Sequence, residues 1–329
     1  MGGDFGPRCI IPAVARSLQQ IPDLHVLLVG SPDAVVPLLK QTPLPDGRFT
    51  CVPASEVILA DDSPASVLRL KRDASMRLAI QLVRDGQADA CLSAGNTGAL
   101  MVLSRSLLGM LDGVERPAIM AALPVAGSVC HVLDLGANVD CSTRQLFEFA
   151  IMGSEAVSEI TGLQRPRVGL LNIGSEINKG SQRVREVGAL LRNCQQIAYV
   201  GHVEGDGLFR GEADVVVCDG FVGNVVLKAS EGLAAYLQQT LREALGQSLM
   251  LRCLAPLVRR ALKPTLQQHD PGRYNGACLL GLRGVVVKSH GNADQQAFSS
   301  AIAQAAQAAR AGLPRRIADR LALIDWSAL

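Results

Sequence analysis

The stretch ADACLSAGNTGALMVLSRSLLG, residues 88–109, decides how the chain is read. Residues 88–93 form an apolar, strand-like run that breaks at a corner, Ala94-Gly95-Asn96-Thr97-Gly98, and a helical stretch follows to Gly109. A short apolar run bounded by Gly and Asn suits a buried strand, and the longer run after it has the length of a helix. Working outward, the same design recurs. HVLLVG (25–30) leads into a helical stretch over 32–40 with Pro32 near its first turn. VCHVLDL (129–135) ends at Gly136-Ala137-Asn138 before an amphipathic stretch over 143–162. RVGLLNI (167–173) ends at Gly174-Ser175-Glu176 and feeds a helical stretch over 181–193. Residues 197–203, 214–219 and 285–289 repeat the pattern.

Strand, corner and helix in this order predict an α/β fold with a mostly parallel sheet, its corners gathered at the carboxyl ends of the strands. Several polar corners are then expected in one crevice. The composition agrees: of 329 residues 48% are hydrophobic but only 3% aromatic, so the core rests on Val, Leu, Ile and Ala. The formal charge of +2 argues against a general nucleic-acid binder and leaves any electrostatic partner to a local patch. The nine Cys are scattered and contain no C-x-x-C pair, which disfavours a disulfide framework or zinc site. No signal peptide and no run of 18 apolar residues is seen, so a cytosolic chain is expected unless it touches a membrane peripherally. The opening residues, MGGDFGP, read as a loop entering a helix with no strand before it.

Four corners carry the chemistry: Gly2-Gly3-Asp4, the 93–98 corner, residues 172–180 (NIGSEINKG) and Asp219-Gly220-Phe221-Val222-Gly223-Asn224. Gly lets backbone N–H groups approach an anion, above all at a helix start. Asn, Ser and Thr add neutral donors, and Lys179 adds a point charge suited to phosphate. Nucleotide motifs fail: in 174–181 the Lys precedes Gly where a P-loop needs Gly-Lys-Ser/Thr, and Gly205-Asp206-Gly207 with Gly211 misses the dinucleotide spacing by one residue. Covalent catalysis lacks a G-x-S-x-G elbow, so Cys141 and Cys218 read as packing. Asp134, Asp140 and Asp219 match no metal motif and read as capping or hydrogen-bonding groups. His290, after the VVV run, is positioned to reach the crevice, and His202 has a weaker claim of the same kind.

Residues 249–266 hold Arg252, Arg259, Arg260 and Lys263 without an acidic residue, alongside Leu251, Leu254, Leu257 and Val258. Pro256 divides this stretch into two short helices. A basic, apolar helical tip over 244–272 suits an anionic lipid surface or an acidic protein, while packing on the chain's own core or in a dimer interface is the plain alternative.

Across nearly its whole length the chain resembles the bacterial phosphate acyltransferases, which move acyl groups from acyl carrier protein to phosphate. The matching stretches are 1–7 (MGGDFGP), 93–99 (SAGNTGA), 133–141 (LDLGANVDC), 172–181 (NIGSEINKGS), 201–228 (GHVEGDGLFRGEADVVVCDGFVGNVVLK), 274–282 (YNGACLLGL) and 285–292 (VVVKSHGN). The resemblance implies an enzyme domain over 1–329, built as one unit or two lobes, with an isocitrate-dehydrogenase/phosphotransacetylase-like three-layer α/β/α fold, usually a homodimer. It implies a cytoplasmic enzyme held peripherally on the membrane through the tip, while the motifs themselves call for no cofactor and no metal. It also implies an acyl phosphate product that passes to a membrane glycerol-3-phosphate acyltransferase for phosphatidic acid and phospholipid synthesis. Family members carry a short strand ahead of Met-Gly-Gly-Asp, so the motif at Met1 is expected to lie downstream of a strand.

In the chemistry expected, phosphate attacks the thioester directly and the protein positions it and stabilises the oxyanion. Ser93, Gly95, Asn96, Thr97 and Lys179 are assigned to phosphate, with Gly3 and Asp4 beside them. Asn172 and Asn224 orient the thioester or donate to the oxyanion, and His290 protonates the leaving thiolate or hydrogen-bonds phosphate. A phosphotransacetylase acting on coenzyme A thioesters and a non-catalytic membrane scaffold stay open as alternatives.

Overall fold

The computed structural model describes residues 1–246, 271–324 and 326. Residues 251–263, and with them the whole expected set of membrane contacts, lie outside the described residues.

The chain alternates strands and helices from its first residues. Helix α1 (Pro7–Gln20) leads to β1 (Val26–Gly30), α2 (Pro32–Gln41) and β2 (Phe49–Pro53), and β1 and β2 pair in parallel. After α3 (Pro64–Arg69) and α4 (Ser75–Arg84), β3 (Ala90–Ser93) runs into α5 (Thr97–Leu108), as the opening stretch predicts. A hairpin of β4 (Ala118–Val125) and β5 (Ser128–Leu133) precedes α6 (Thr143–Thr161). Then come β6 (Arg167–Leu171), α7 (Gln182–Asn193), β7 (Ala198–Val203), α8 (Gly205–Arg210), β8 (Val215–Val217) and the long α9 (Gly220–Gly246). The chain closes with β9 (Ala277–Leu280), β10 (Val285–Lys288), α10 (Gln295–Arg310) and α11 (Leu313–Leu321).

Eight strands form one sheet in the order β3-β10-β9-β4-β5-β8-β6-β7. Val215 and Val217 of β8 enter one core with α6, α7, α10 and α11. Val216 between them enters the other core, with α4, α5 and α8. This period-two division places helices on both faces and makes the fold three-layered, α/β/α. Helix α6 is the centre of the first layer, buried without a break from Gln145 to Val157. Phe147 and Phe149 are 1% and 0% exposed, and burying such a side chain contributes about 1.5–3 kcal/mol. A capping box of Ser142 and Gln145 starts this helix, and Gly162 ends it at φ 76°.

Two features depart from the expected parallel arrangement. The β10–β9, β9–β4 and β4–β5 pairs are antiparallel, whereas β3–β10, β5–β8, β8–β6 and β6–β7 are parallel. Three successive reversals turn the two parallel groups end over end. The corners after β3 and β10 therefore open at one edge of the sheet, and those after β5, β8 and β6 at the other. Secondly, among the described residues β1 and β3 each keep one unpaired edge. Both edges line a single cavity of about 570 Å³, with Met1 and Gly2 at one end and Ile10, Val14, Phe298 and Ile302 in its wall.

Candidate active site

The β3 and β10 corners are joined backbone to backbone. Ser289 N–H donates to Ser93 O (2.9 Å), and Asp4 N–H to Gly291 O (2.8 Å). Gly is required at the contact between the first loop and this corner: a Cβ on Gly2 would sit 2.6 Å from Gly95 Cα, and Gly3 has φ 86°. At the head of α5, Gly95 N–H donates to Ser93 Oγ (3.2 Å). Asn96 caps the helix by accepting from Ala99 N–H (2.9 Å), while its amide donates to Ala60 O (2.8 Å). Asn96 thus shapes the corner with both ends of its side chain engaged. The backbone N–H groups of α5's first turn are the ones aimed out of the helix.

The same corner holds Lys288, a residue the sequence reading did not single out. Its Nζ donates to Ser289 O and, at 3.5 Å, to Ala94 O. Burial lowers its pKa to about 8, Lys228 adds repulsion, and Asp4 opposes both. Lys228 lies on α9, where Glu231 bridges it (2.9 Å) to His290 Nε2 (3.9 Å). The His290 side chain is 47% exposed. Desolvation first, then Lys228 and Lys288, hold its imidazole pKa below the ordinary value against the pull of Glu231. Asn275 fixes this corner by accepting from His290 N–H (3.0 Å) and donating to Ser289 Oγ (2.8 Å).

Helix α9 ties the two sheet edges together. Asn224, Lys228 and Glu231 share one helical face at spacings of four and three residues. Asn224 packs on Gly136, where a Cβ would lie 3.5 Å away, and the next two turns carry Lys228 and Glu231 to Lys288 and His290. The helix start is set by Asp134. Its carboxylate accepts from the N–H groups of Ile119 (3.0 Å), Ala137 (2.9 Å) and Asn138 (2.6 Å), and from the Asn138 amide (2.9 Å). A Cβ on Gly220 or Gly223 would lie 2.8 Å from Asp134 Oδ2 or 2.0 Å from its carbonyl O, so only Gly fits there. Asp219 caps the helix through Val222 N–H (2.9 Å). Asp140 pairs with Arg183. The capping and hydrogen-bonding roles read for these three aspartates are the ones they fill. Cys141 and Cys218 are buried, with the Cys141 thiol pushed up to about 12 and the Cys218 thiol raised well above its ordinary value, each chiefly by desolvation.

The loop after β6 stands apart. Lys179 is exposed, its stem lying over Gly174, and among the described residues no hydrogen bond or ion pair joins it to the Ser93 or His290 corners. The structure therefore brings together Gly3, Asp4, Ser93, Gly95, Asn96, Thr97 and His290, reaches Asn224 along α9, and leaves Asn172 and Lys179 in a second group. Asn172 serves its own loop, its amide lying 3.2 Å from both Gly174 O and Lys179 O. The three antiparallel pairings set the corners at two ends of the sheet, with α9 running between them. Lys228 and Lys288 were legible only as signals not used: Lys228 follows Asn224 by one helical turn, and Lys288 ends an otherwise apolar VVV strand.

The family profile described as "Fatty acid synthesis protein" matches residues 1–316. A phosphate acyltransferase of Pseudomonas fluorescens is 51% identical over 322 residues, covering 98% of this chain and 96% of that protein. One of Pseudomonas aeruginosa is 51% identical over 326 residues, with the same coverage of 98% and 96%. Among solved structures, a phosphotransacetylase from Streptococcus pyogenes superposes with a TM-score of 0.64 at 17% identity, covering 92% of this chain and 91% of that one. The EutD phosphotransacetylase from Staphylococcus aureus gives 0.60 at 15%, covering 90% and 89%. The fold is that of the phosphotransacetylases, and by profile and relatives alike the chain belongs to the phosphate acyltransferase family as an acyltransferase of fatty acid synthesis.

Proposed function

We propose that the protein transfers a long-chain acyl group from acyl carrier protein to inorganic phosphate. One observation carries the reading: Lys288 Nζ reaches Ala94 O (3.5 Å), just ahead of α5, in a corner where burial and the nearby Lys228 both disfavour its charge unless an anion joins them. A buried ammonium held against another positive charge is poised for an anion. Phosphate seated there meets Ser93, the N–H groups from Gly95 to Thr97, and Lys288, with Asp4 behind them. Lys179 is assigned a further phosphate contact from its loop. A phosphate oxygen attacks the thioester carbonyl carbon, the carbon–sulfur bond breaks as the tetrahedral oxyanion collapses, and the pantetheine thiolate leaves and takes a proton. Asn224 is the donor for the oxyanion, since the Asn172 amide is already engaged. His290 hydrogen-bonds the phosphate or returns the proton to sulfur.

The product is an acyl phosphate for phosphatidic acid and phospholipid synthesis, consumed by a membrane glycerol-3-phosphate acyltransferase. The basic residues of 249–266 support a peripheral, cytoplasmic-side attachment to anionic lipid. Among the described residues, no helix is long and apolar enough to cross a membrane. Leu233, Tyr236, Leu237 and Leu241 leave an apolar stripe exposed on α9, which supports a homodimer as well.

The donor decides between this reading and a coenzyme A-dependent one. Phosphate-dependent thioester loss is expected to be at least tenfold faster with palmitoyl-acyl carrier protein than with palmitoyl- or acetyl-coenzyme A. Preference for acetyl-coenzyme A would replace the proposed function with a phosphotransacetylase activity.

A further inference from the structure

The loop over 173–180, which carries Lys179, is held by the half-buried Asn172 and the buried His202. Three of its carbonyls converge on that pair. Asn172 Nδ2 lies 3.2 Å from Gly174 O and 3.2 Å from Lys179 O. His202 Nδ1 lies 3.1 Å from Glu176 O and 3.0 Å from Asn172 Nδ2. An amide NH2 has two hydrogens. Directed at Gly174 and Lys179, they leave the Glu176 carbonyl to a proton on His202 Nδ1. The 3.0 Å approach of Asn172 Nδ2 to Nδ1 is then a packing contact between two donors rather than a hydrogen bond. Nε2 then carries the lone pair.

That second nitrogen is buried, as the whole residue is at 8% exposure, and among the described residues no group hydrogen-bonds it. The hydroxyl of Tyr199 is buried and has no hydrogen-bond partner among the described residues either. Both atoms face the bare Cα of Gly188 on α7, where a Cβ would lie 3.3 Å from Nε2 and 3.1 Å from the hydroxyl. Gly188 leaves the two atoms bordering one pocket, with Arg192 Nη2 beside them. The contact at Gly180 is tighter still. Its φ is 86°, and a Cβ there would fall 2.1 Å from Asn172 Oδ1, so the loop closes directly on the clamp.

We infer that His202 is a positioning residue, fixing the 173–180 loop through the Glu176 carbonyl and so setting where Lys179 stands, with Tyr199 steadying the imidazole. The inference rests on the proposed contact of Lys179 with phosphate. It assigns His202 no contact with substrate.

His202→Leu keeps much of the bulk and removes the donor, whereas His202→Asn places an amide N–H where Nδ1 sits. In the full-length enzyme, His202→Leu is expected to raise the KM for phosphate tenfold or more while kcat and the KM for the acyl donor stay within threefold. The amides of residues 173–180 should exchange with deuterium at least tenfold faster. His202→Asn should return both readings to within threefold of the parent, and Tyr199→Phe should speed loop exchange to an intermediate degree. Unchanged loop exchange in His202→Leu overturns the inference, as does an equal defect in His202→Asn. A phosphate KM left unchanged by Lys179→Ala removes instead the reading on which the inference rests, because loop exchange reports on the clamp without any turnover.

Discussion

Lys288 has a depressed pKa because its ammonium is desolvated beside Lys228, with Asp4 giving only partial relief. In the free enzyme it is charged below about pH 8 and loses that charge as pH rises through about 8. Phosphate binding that depends on it weakens over the same range. The kcat/KM for phosphate is therefore expected to fall above about pH 8, and Lys288→Arg should flatten that limb, because Arg keeps its charge. Lys288→Met should lower kcat/KM for phosphate by roughly 10- to 100-fold, the loss of a charge-assisted hydrogen bond worth about 1.5–3 kcal/mol. The stability effect has the opposite sign. A lysine whose folded pKa lies below its unfolded value penalises the native state most where it is protonated in both states. Lys288→Met should then melt higher than the parent at pH 7, and the gap should close as pH rises from about 8 toward the ordinary lysine value. Thermal melts across that range check the sign. Single residues of this kind were the least legible in the sequence. Lys288 is one polar residue after three valines, and nothing local says that Lys228, sixty positions earlier, will stand beside it. Asn172 presented the converse difficulty: its motif was plain, but its partner His202 is thirty residues away and on another strand.

Elements were more legible where apolar runs ended in Gly or Asn. The strand–corner–helix units around 88–109, 129–162 and 167–193 emerge close to the boundaries read for them, because corner and cap residues fix where each element stops. Strands β4 and β9 escaped notice. The β4 run AIMAALPV is apolar on both faces and lacks alternation, so its antiparallel pairing leaves no periodic trace, although Gly127 at φ 70° marks the hairpin turn. Reversal of the two sheet halves follows from these strands alone. The slot between β1 and β3 belongs to this scale as well. It is lined by unbroken runs of both strands, each with one free edge, and Met1 packs on Gly30 at its end. An acyl chain would fill such a space but leave the backbone N–H and C=O groups of both edges unpaired, whereas an extended peptide pairs with them. Five or six β-branched residues joined ahead of Met1 are expected to enter as a strand and raise Tm by about 2 °C or more. They should also protect the amides of Val26–Gly30 and Ala90–Ser93 from exchange. An unchanged Tm with unchanged protection would show that the slot does not accept a strand.

At the scale of the whole molecule, the architecture gathers a cation-lined corner at one sheet edge, a clamped lysine loop at the other, and a long helix that touches the first and starts at the second. Direct attack by phosphate needs no protein nucleophile, and the thiols nearest the helix start, Cys141 and Cys218, are held protonated by burial. The most direct test mixes the enzyme, at substrate-like concentration, with palmitoyl-acyl carrier protein, first without phosphate and then with labelled phosphate. The account predicts no release of free acyl carrier protein until phosphate is added, followed by labelled acyl phosphate in step with that release. A stoichiometric burst of free carrier protein before phosphate, with the acyl group left on the enzyme, would contradict it.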